Sequence, residues 1–205
     1  DGVNTRTREH VEQGYFRALQ AMSKVFETRP FLLGDQPSLA DFGMMAPMFR
    51  HFSQDPEPAE IMRTEAPLVY EWVARMWRAE DVPAGAFIGA FDEALIPLLR
   101  EICETHLAQL AANAKAFSQQ ASRFEMTVQG CHYTNMPISR YRVYCLEELR
   151  KAFNTLDTEH QATVKQALPF DHADILWSDQ PEAKSDYNTD DHLPYGHAIN
   201  VYNEG

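Results

Sequence analysis

The stretch FLLGDQPSLADFGMMAPMF, residues 31–49, decides the fold. It sets Gly34-Asp35, Pro37-Ser38 and Ala40-Asp41 directly before a long apolar run. The local reading is a helix start. The Ser38 hydroxyl is placed to accept from the backbone N–H three residues on, and the Asp41 carboxylate to accept from the Ser38 N–H in return. This is a capping box with Asp in place of Glu. Asp41 also falls in the first turn, where negative charge suits the helix dipole. Pro37 and Phe42 stand at the two positions of a hydrophobic staple. The helix is expected to reach about Phe52, with a kink at Pro47, whose ring removes a backbone donor.

Outward from this start, the hydrophobic period predicts more helix. Upstream, residues 5–26 place Val11, Tyr15, Leu19, Met22 and Phe26 on one face at helical spacing. Arg29-Pro30 ends that helix, because the residue before proline avoids the α region. Downstream, residues 53–59 hold two prolines and read as a loop, with a helical turn at 60–62. Pro67 opens a strong helix carrying Leu68, Trp72 and Met76. Residues 81–89 form a Pro- and Gly-rich break, and 91–120 read as one long helix that Pro97 bends or begins. The period then changes to two: Phe124, Met126 and Val128 alternate with polar residues, Gly130 allows a turn, and a β-hairpin is expected over 123–134. Pro137 is expected to start a helix with Tyr141, Cys145, Leu149 and Phe153 on one stripe. Asp157 or Thr158 caps the last helix, and 198–202 reads as one short strand. The fold class is mainly α, a helical bundle with a small hairpin.

Composition sets the outer bounds. The chain has 205 residues, 44% of them apolar, enough for a sizeable core. Its net charge of −12 argues against nucleic acid and against anionic membrane surfaces as partners. From residue 157 onward there are ten acidic and two basic residues, an acidic tail. The three cysteines, Cys103, Cys131 and Cys145, form no Cys-x-x-Cys, so a disulfide framework and a zinc ribbon are both unexpected, and a reducing cytoplasm fits best. No run approaches the length of a membrane span. The sequence begins at Asp1, not Met.

Residues that resemble reactive groups mostly have structural readings. Ser38 and Asp41 read as cap residues before anything catalytic. Cys131 and His132 are adjacent in an expected strand, where successive side chains point to opposite faces, so they are poorly placed to pair. His172, Asp174, His192 and His197 match no metal-ligand spacing, and no metal site is expected. Cys145 sits in an apolar stripe as a small hydrophobe. Met45, Met48, Phe49 and Phe52 make a soft apolar patch, either a pocket wall or a core stripe.

The run RPFLLGDQPSLADFGMMAPMFRHF resembles the second helix region of the all-helical C-terminal domain of glutathione transferases, where a Leu-x-Gly-Asp-x-x-Ser/Thr-x-Ala-Asp phrase carries such a box. Here Leu32, Leu33, Gly34, Asp35, Ser38, Ala40 and Asp41 supply it. Residues 5–29 are similar to the preceding long helix of that domain, and APLVYEWVARMWRA, with Pro67, Trp72 and Met76, to a later one. The resemblance covers residues 5 to about 80. It divides the chain into a core of this type at 1–82, a helical extension with the hairpin at 83–168, and an acidic irregular tail at 169–205.

The resemblance implies a seam between two domains. A thioredoxin-like domain binds glutathione and supplies the group that stabilises its thiolate, the form that attacks. The helical domain supplies the wall for a hydrophobic electrophile. Ahead of Phe31 the sequence shows one helix and no βαβ pattern, so the glutathione half is expected outside these residues, with glutathione the co-substrate of the parent protein. On this reading these residues include no catalytic residue and no cofactor. Lacking the glutathione-binding half, they are not expected to catalyse glutathione conjugation alone, while the parent protein is expected to be a glutathione transferase. In the family the start of the first helix faces the glutathione site, so the resemblance makes Arg8 and His10 either a cationic contact or solvated surface. It makes Tyr15 either a wall of the co-substrate cleft or a core residue. Arg8, Tyr15, and Met48 and Phe52 of the soft patch are the substrate-binding candidates. It also implies a homodimer. The alternative readings are a non-catalytic interaction module and a carrier of apolar molecules.

Overall fold

The computed structural model describes residues 2–89, 91–178 and 184–187. The chain divides into two units, Val3–Ile102 and Cys103–Gly205 with Asp1–Gly2. The expected strand at 198–202 lies outside the described residues, as do His192 and His197.

The first unit is built on helix α1, Arg8–Phe26. It starts three residues later than its period suggests, because Asn4 and the buried Thr7 hydroxyl close a turn ahead of it: Asn4 N–H donates to Thr7 Oγ1 at 2.9 Å. Leu19, Met22, Val25 and Phe26 fill the core, whereas Val11, on the same stripe, is 41% exposed. The core-forming half meets helix α4, Pro67–Trp77, through Val69, Trp72, Val73 and Met76, and the rings of Phe26 and Trp72 stack at 5.4 Å. Each such apolar side chain contributes about 1.5–3 kcal/mol on burial.

Helix α2, Leu39–Pro47, begins as the sequence requires. The Ser38 hydroxyl accepts from Asp41 N–H, and Asp41 Oδ2 accepts from Ser38 N–H at 2.9 Å and from Ser38 Oγ at 2.6 Å. The staple does not form: Phe42 points outward, 54% exposed. At Pro47 the ladder changes register rather than simply bending, and Met48–Phe52 is π-helical, with Ser53 N–H reaching Met48 O at 2.8 Å. The expected loop at 53–59 is confined to 53–55, and helix α3, Pro56–Glu65, takes up the rest together with the expected turn at 60–62. Both prolines stand in its first turn, where backbone donors have no intrahelical partner to lose.

After α4 the chain returns to the 31–34 turn. Asp35 N–H donates to Ala86 O and Ile88 N–H to Leu33 O, both at 2.8 Å. Gly34, at φ +146°, lets the two backbones meet, since a Cβ there would lie 2.3 Å from Ala86 O. The helix expected over 91–120 is divided. Asp92 caps a 3-10 turn at Glu93–Leu95, Pro97 falls in the first turn of α5, Ile96–Glu101, and a π-helical stretch, Ile102–Leu107, precedes α6, Ala108–Ser118.

The second unit packs α6 against a two-stranded antiparallel hairpin, β1 Arg123–Val128 and β2 Cys131–Pro137. Gln129 and Gly130 both take positive φ, 49° and 80°, as a two-residue hairpin turn demands. Phe124, Val128, Tyr133 and Met136 bury against Ala108 and Ala116. Pro137 ends β2 and does not open a helix. Helix α7, Arg140–Asn154, starts at the Ser139 cap. Buried Asn113 of α6 grips that cap from both sides, through Ser139 N–H at 2.8 Å and Ser139 O at 2.9 Å. The core stripe of α7 is Val143, Leu146 and Phe153; Tyr141 and Leu149, expected inside, are 54% and 40% exposed. Helix α8, Thr158–Ala167, takes Asp157 as its cap, with Oδ1 accepting His160 N–H at 2.9 Å.

Candidate functional site

The apolar stripe of α1 outruns the core it serves, and its N-terminal half forms one wall of a cleft in the first unit. Arg8, Val11, Glu12, Tyr15 and Ala18 come from α1; Met48 and Phe52 come from the π-helical stretch; Glu57, Pro58 and Ile61 come from α3. The cleft volume is about 660 Å³, within the usual range for small-molecule sites.

The walls are fixed by side chains bonding across the elements. The Tyr15 ring stacks on Phe52 with centroids 4.5 Å apart and planes 15° apart. Its hydroxyl donates to Pro58 O at 2.9 Å, tying α1 to the first turn of α3. Burial pushes the Tyr15 phenol up to about 12, so it stays protonated at neutral pH and its proton is already committed. Met48 is buried and closes the floor. At the rim, Arg8 Nε donates to Glu12 Oε1 at 2.6 Å, an exposed pair one helical turn long. Glu57 adds a second carboxylate, so the rim holds two acids and one base.

The four residues singled out from the sequence, Arg8, Tyr15, Met48 and Phe52, all line this cleft. His10 does not. Of the soft patch, Phe49 turns away to stack on Trp77 at 4.5 Å and Met45 packs against the core. Sequence reasoning missed the α3 wall. The signal was present in Pro56 followed by Glu57, a proline and an acid suited to a helical first turn.

Other sequence candidates resolve as structure. Asp41 is wholly buried, and its Oδ1 also accepts from Leu32 N–H at 2.8 Å and Trp72 Nε1–H at 3.0 Å. It is a tie between segments. His132 faces Thr127 Oγ1 at 3.2 Å and Glu125 at 3.4 Å across the hairpin, not Cys131. Burial pushes the Cys103 thiol up to about 11, which makes it a poor nucleophile. Among the described residues no group of His, Cys, Asp and Glu could hold a metal ion. No described helix is long and apolar enough to cross a membrane.

Residues 4–80 match a family model described as glutathione S-transferase, C-terminal domain. That match takes in α1 to α4 and therefore every residue of the cleft. No curated protein and no solved structure matches the chain.

Proposed function

We propose that this chain, whose residues 4–80 match the glutathione S-transferase C-terminal domain family, supplies the apolar co-substrate side of a glutathione-transferase-like protein that acts on small hydrophobic electrophiles. The observation that carries the reading is the cleft itself: Tyr15, Met48 and Phe52 offer apolar surface, and Arg8 stands at its mouth. In such a transfer the glutathione thiolate forms a bond to the electrophilic carbon, and a leaving group departs or a proton adds. A thioredoxin-like domain would hold glutathione and stabilise the thiolate. The part of these residues is binding and orientation. Apolar walls remove the electrophile from water, and the Tyr15–Phe52 stack keeps the wall rigid. Because its proton is donated to Pro58, Tyr15 acts as a platform and not as a thiol activator. The free cysteines fit a reducing cytoplasm, and a homodimer is the expected assembly.

Titration with Nile red, a neutral apolar dye, tests the reading. Saturable fluorescence enhancement is expected, displaced by small aromatic electrophiles and reduced about tenfold in affinity by Phe52→Asp, which sets a charge in the apolar wall. Dye binding indifferent to Phe52→Asp and Met48→Lys would refute it.

A further inference from the structure

Helix α7 has two working faces. Val143, Leu146 and Phe153 form the core face. On another face, Arg140, Tyr144 and Glu147 stand at helical spacing, with Tyr141 beside them. Residues 185–187, Ser-Asp-Tyr, lie against this second face.

The contacts are residue-specific. Glu147 reads Ser185 with both carboxylate oxygens: Oε1 accepts Ser185 N–H at 2.6 Å and Oε2 accepts the Ser185 hydroxyl at 2.6 Å. The Arg140 guanidinium donates to the carbonyls of Ser185 and Asp186. The Tyr187 ring meets Tyr144 at 5.5 Å and Tyr141 at 5.4 Å, with Arg140 5.8 Å from its centroid. Tyr187 N–H closes back on Ser185 Oγ at 3.2 Å, and Ser185 is only 3% exposed. Backbone donor, backbone acceptors, hydroxyl and aromatic ring are thus all matched. Tyrosine and arginine are also the residue types that concentrate binding energy at interfaces.

We propose that this face of α7 is a short-peptide recognition site for an unmodified Ser-Asp-Tyr segment, filled by the chain's own residues 185–187 as a latch. The bidentate carboxylate sets the selectivity. It requires an N–H and an O–H from one residue, which alanine cannot offer. A phosphoserine would lose the O–H donor and bring a dianion against Glu147. Because the segment is tethered, it competes at high effective concentration with any copy supplied from outside.

The test uses the full chain carrying Ser185→Ala and Tyr187→Ala, which disables the latch, and a labelled peptide of sequence PEAKSDYNTD followed by fluorescence anisotropy. Saturable binding is expected, about tenfold or more tighter than to the unaltered chain, whose latch competes. Adding Glu147→Ala should abolish it, and a phosphoserine peptide should bind about tenfold or more weakly. No saturable binding, indifference to Glu147→Ala, or equal binding of the phosphopeptide would each overturn the proposal. Hydrogen exchange on the unaltered chain gives an independent reading. The Ser185 and Tyr187 amides should exchange slowly there and rapidly in Glu147→Ala; fast exchange in both refutes the latch.

Discussion

Removing the Asp41 carboxylate is the perturbation whose cost is worked most directly from the structure. Four donors converge on its two oxygens: Leu32 N–H and Trp72 Nε1–H on one, Ser38 N–H and Ser38 Oγ–H on the other. Leu32 is 2% exposed and Trp72 0%, so neither can turn to water. Asp41→Ala strands both, and the Ser38 N–H with them. At about 1–3 kcal/mol for each stranded buried donor, partial relaxation leaves a loss of about 4 kcal/mol, a large share of the roughly 5–15 kcal/mol by which domains are stable. Asp41→Asn keeps one oxygen for Leu32 and Trp72 but turns an amide N–H₂ toward the Ser38 N–H, donor against donor, for about 2 kcal/mol. Ser38→Ala removes only the cap's half of the box, about 1 kcal/mol. Urea unfolding followed by far-UV ellipticity, at constant slope, reads the three variants as midpoint shifts. The expected order of loss is Asp41→Ala, then Asp41→Asn, then Ser38→Ala. The reasoning fails if Asp41→Ala costs no more than Ser38→Ala, because Asp41 would then be a helix cap and not a tie between segments.

Gly34→Ala should lower the thermal midpoint strongly, by about 2 kcal/mol or more in stability, since its Cβ would meet Ala86 O at 2.3 Å from a φ of +146°; a midpoint unchanged from wild type would contradict the close approach. Phenolate absorbance should include a tyrosine ionising late, near 12, and Tyr15→Phe should remove that contribution. The sign follows from the raised folded value: the Tyr15 contribution to stability is fully present below the ordinary phenol range near 10 and is lost as pH rises towards 12. Glu57→Gln should improve binding of anionic over neutral apolar ligands about threefold at low salt, because it removes one of two acids at the cleft mouth, and the gain should shrink as salt rises. Asp92→Asn should destabilise the first unit. The Asp92 carboxylate is held below its usual range by Ala94 N–H first and Arg29 second, and the buried Arg29 would lose its ion partner. In wild type that contribution is present above the ordinary carboxylate range and lost as pH falls through the depressed value, which a carboxyl NMR titration would follow.

What was legible in the sequence was what is local. The box at Ser38 and Asp41 needs only residues three apart, and the hairpin only an alternation and a glycine, so both could be read directly. The far ends of the same groups were not legible. Asp41 reaches Leu32 and Trp72, nine and thirty-one residues away, and nothing in a helical period announces that. Helix α3 was hidden because Pro56 and Pro58 signal a loop unless both fall in a first turn. On α7 the period counted Tyr141 and Leu149 as core. The helix instead buries the stripe of Val143, Leu146 and Phe153, and spends Tyr141 on Tyr187.

The cleft shows how a site can be inferred from an excess. A helix that only served the core would keep its apolar stripe where the core is. Helix α1 continues the stripe through Tyr15 to Val11, a turn and more beyond Leu19, and still leaves Val11 41% exposed. The surplus lies where the cleft is, so Val11 and Tyr15 add apolar area to its wall. Tyr15 stacks on Phe52 and bonds Pro58, which ties the cleft walls together beside the buried Met48. Phe49, one residue from Met48, shows the alternative. It finds Trp77 and is spent on packing. The shift to π register after Pro47 accompanies this division of labour. Met48 and Phe52 stand four residues apart and share the cleft side, while Phe49, next to Met48, faces away, a separation that the stretch keeps although its hydrogen bonds run in π register.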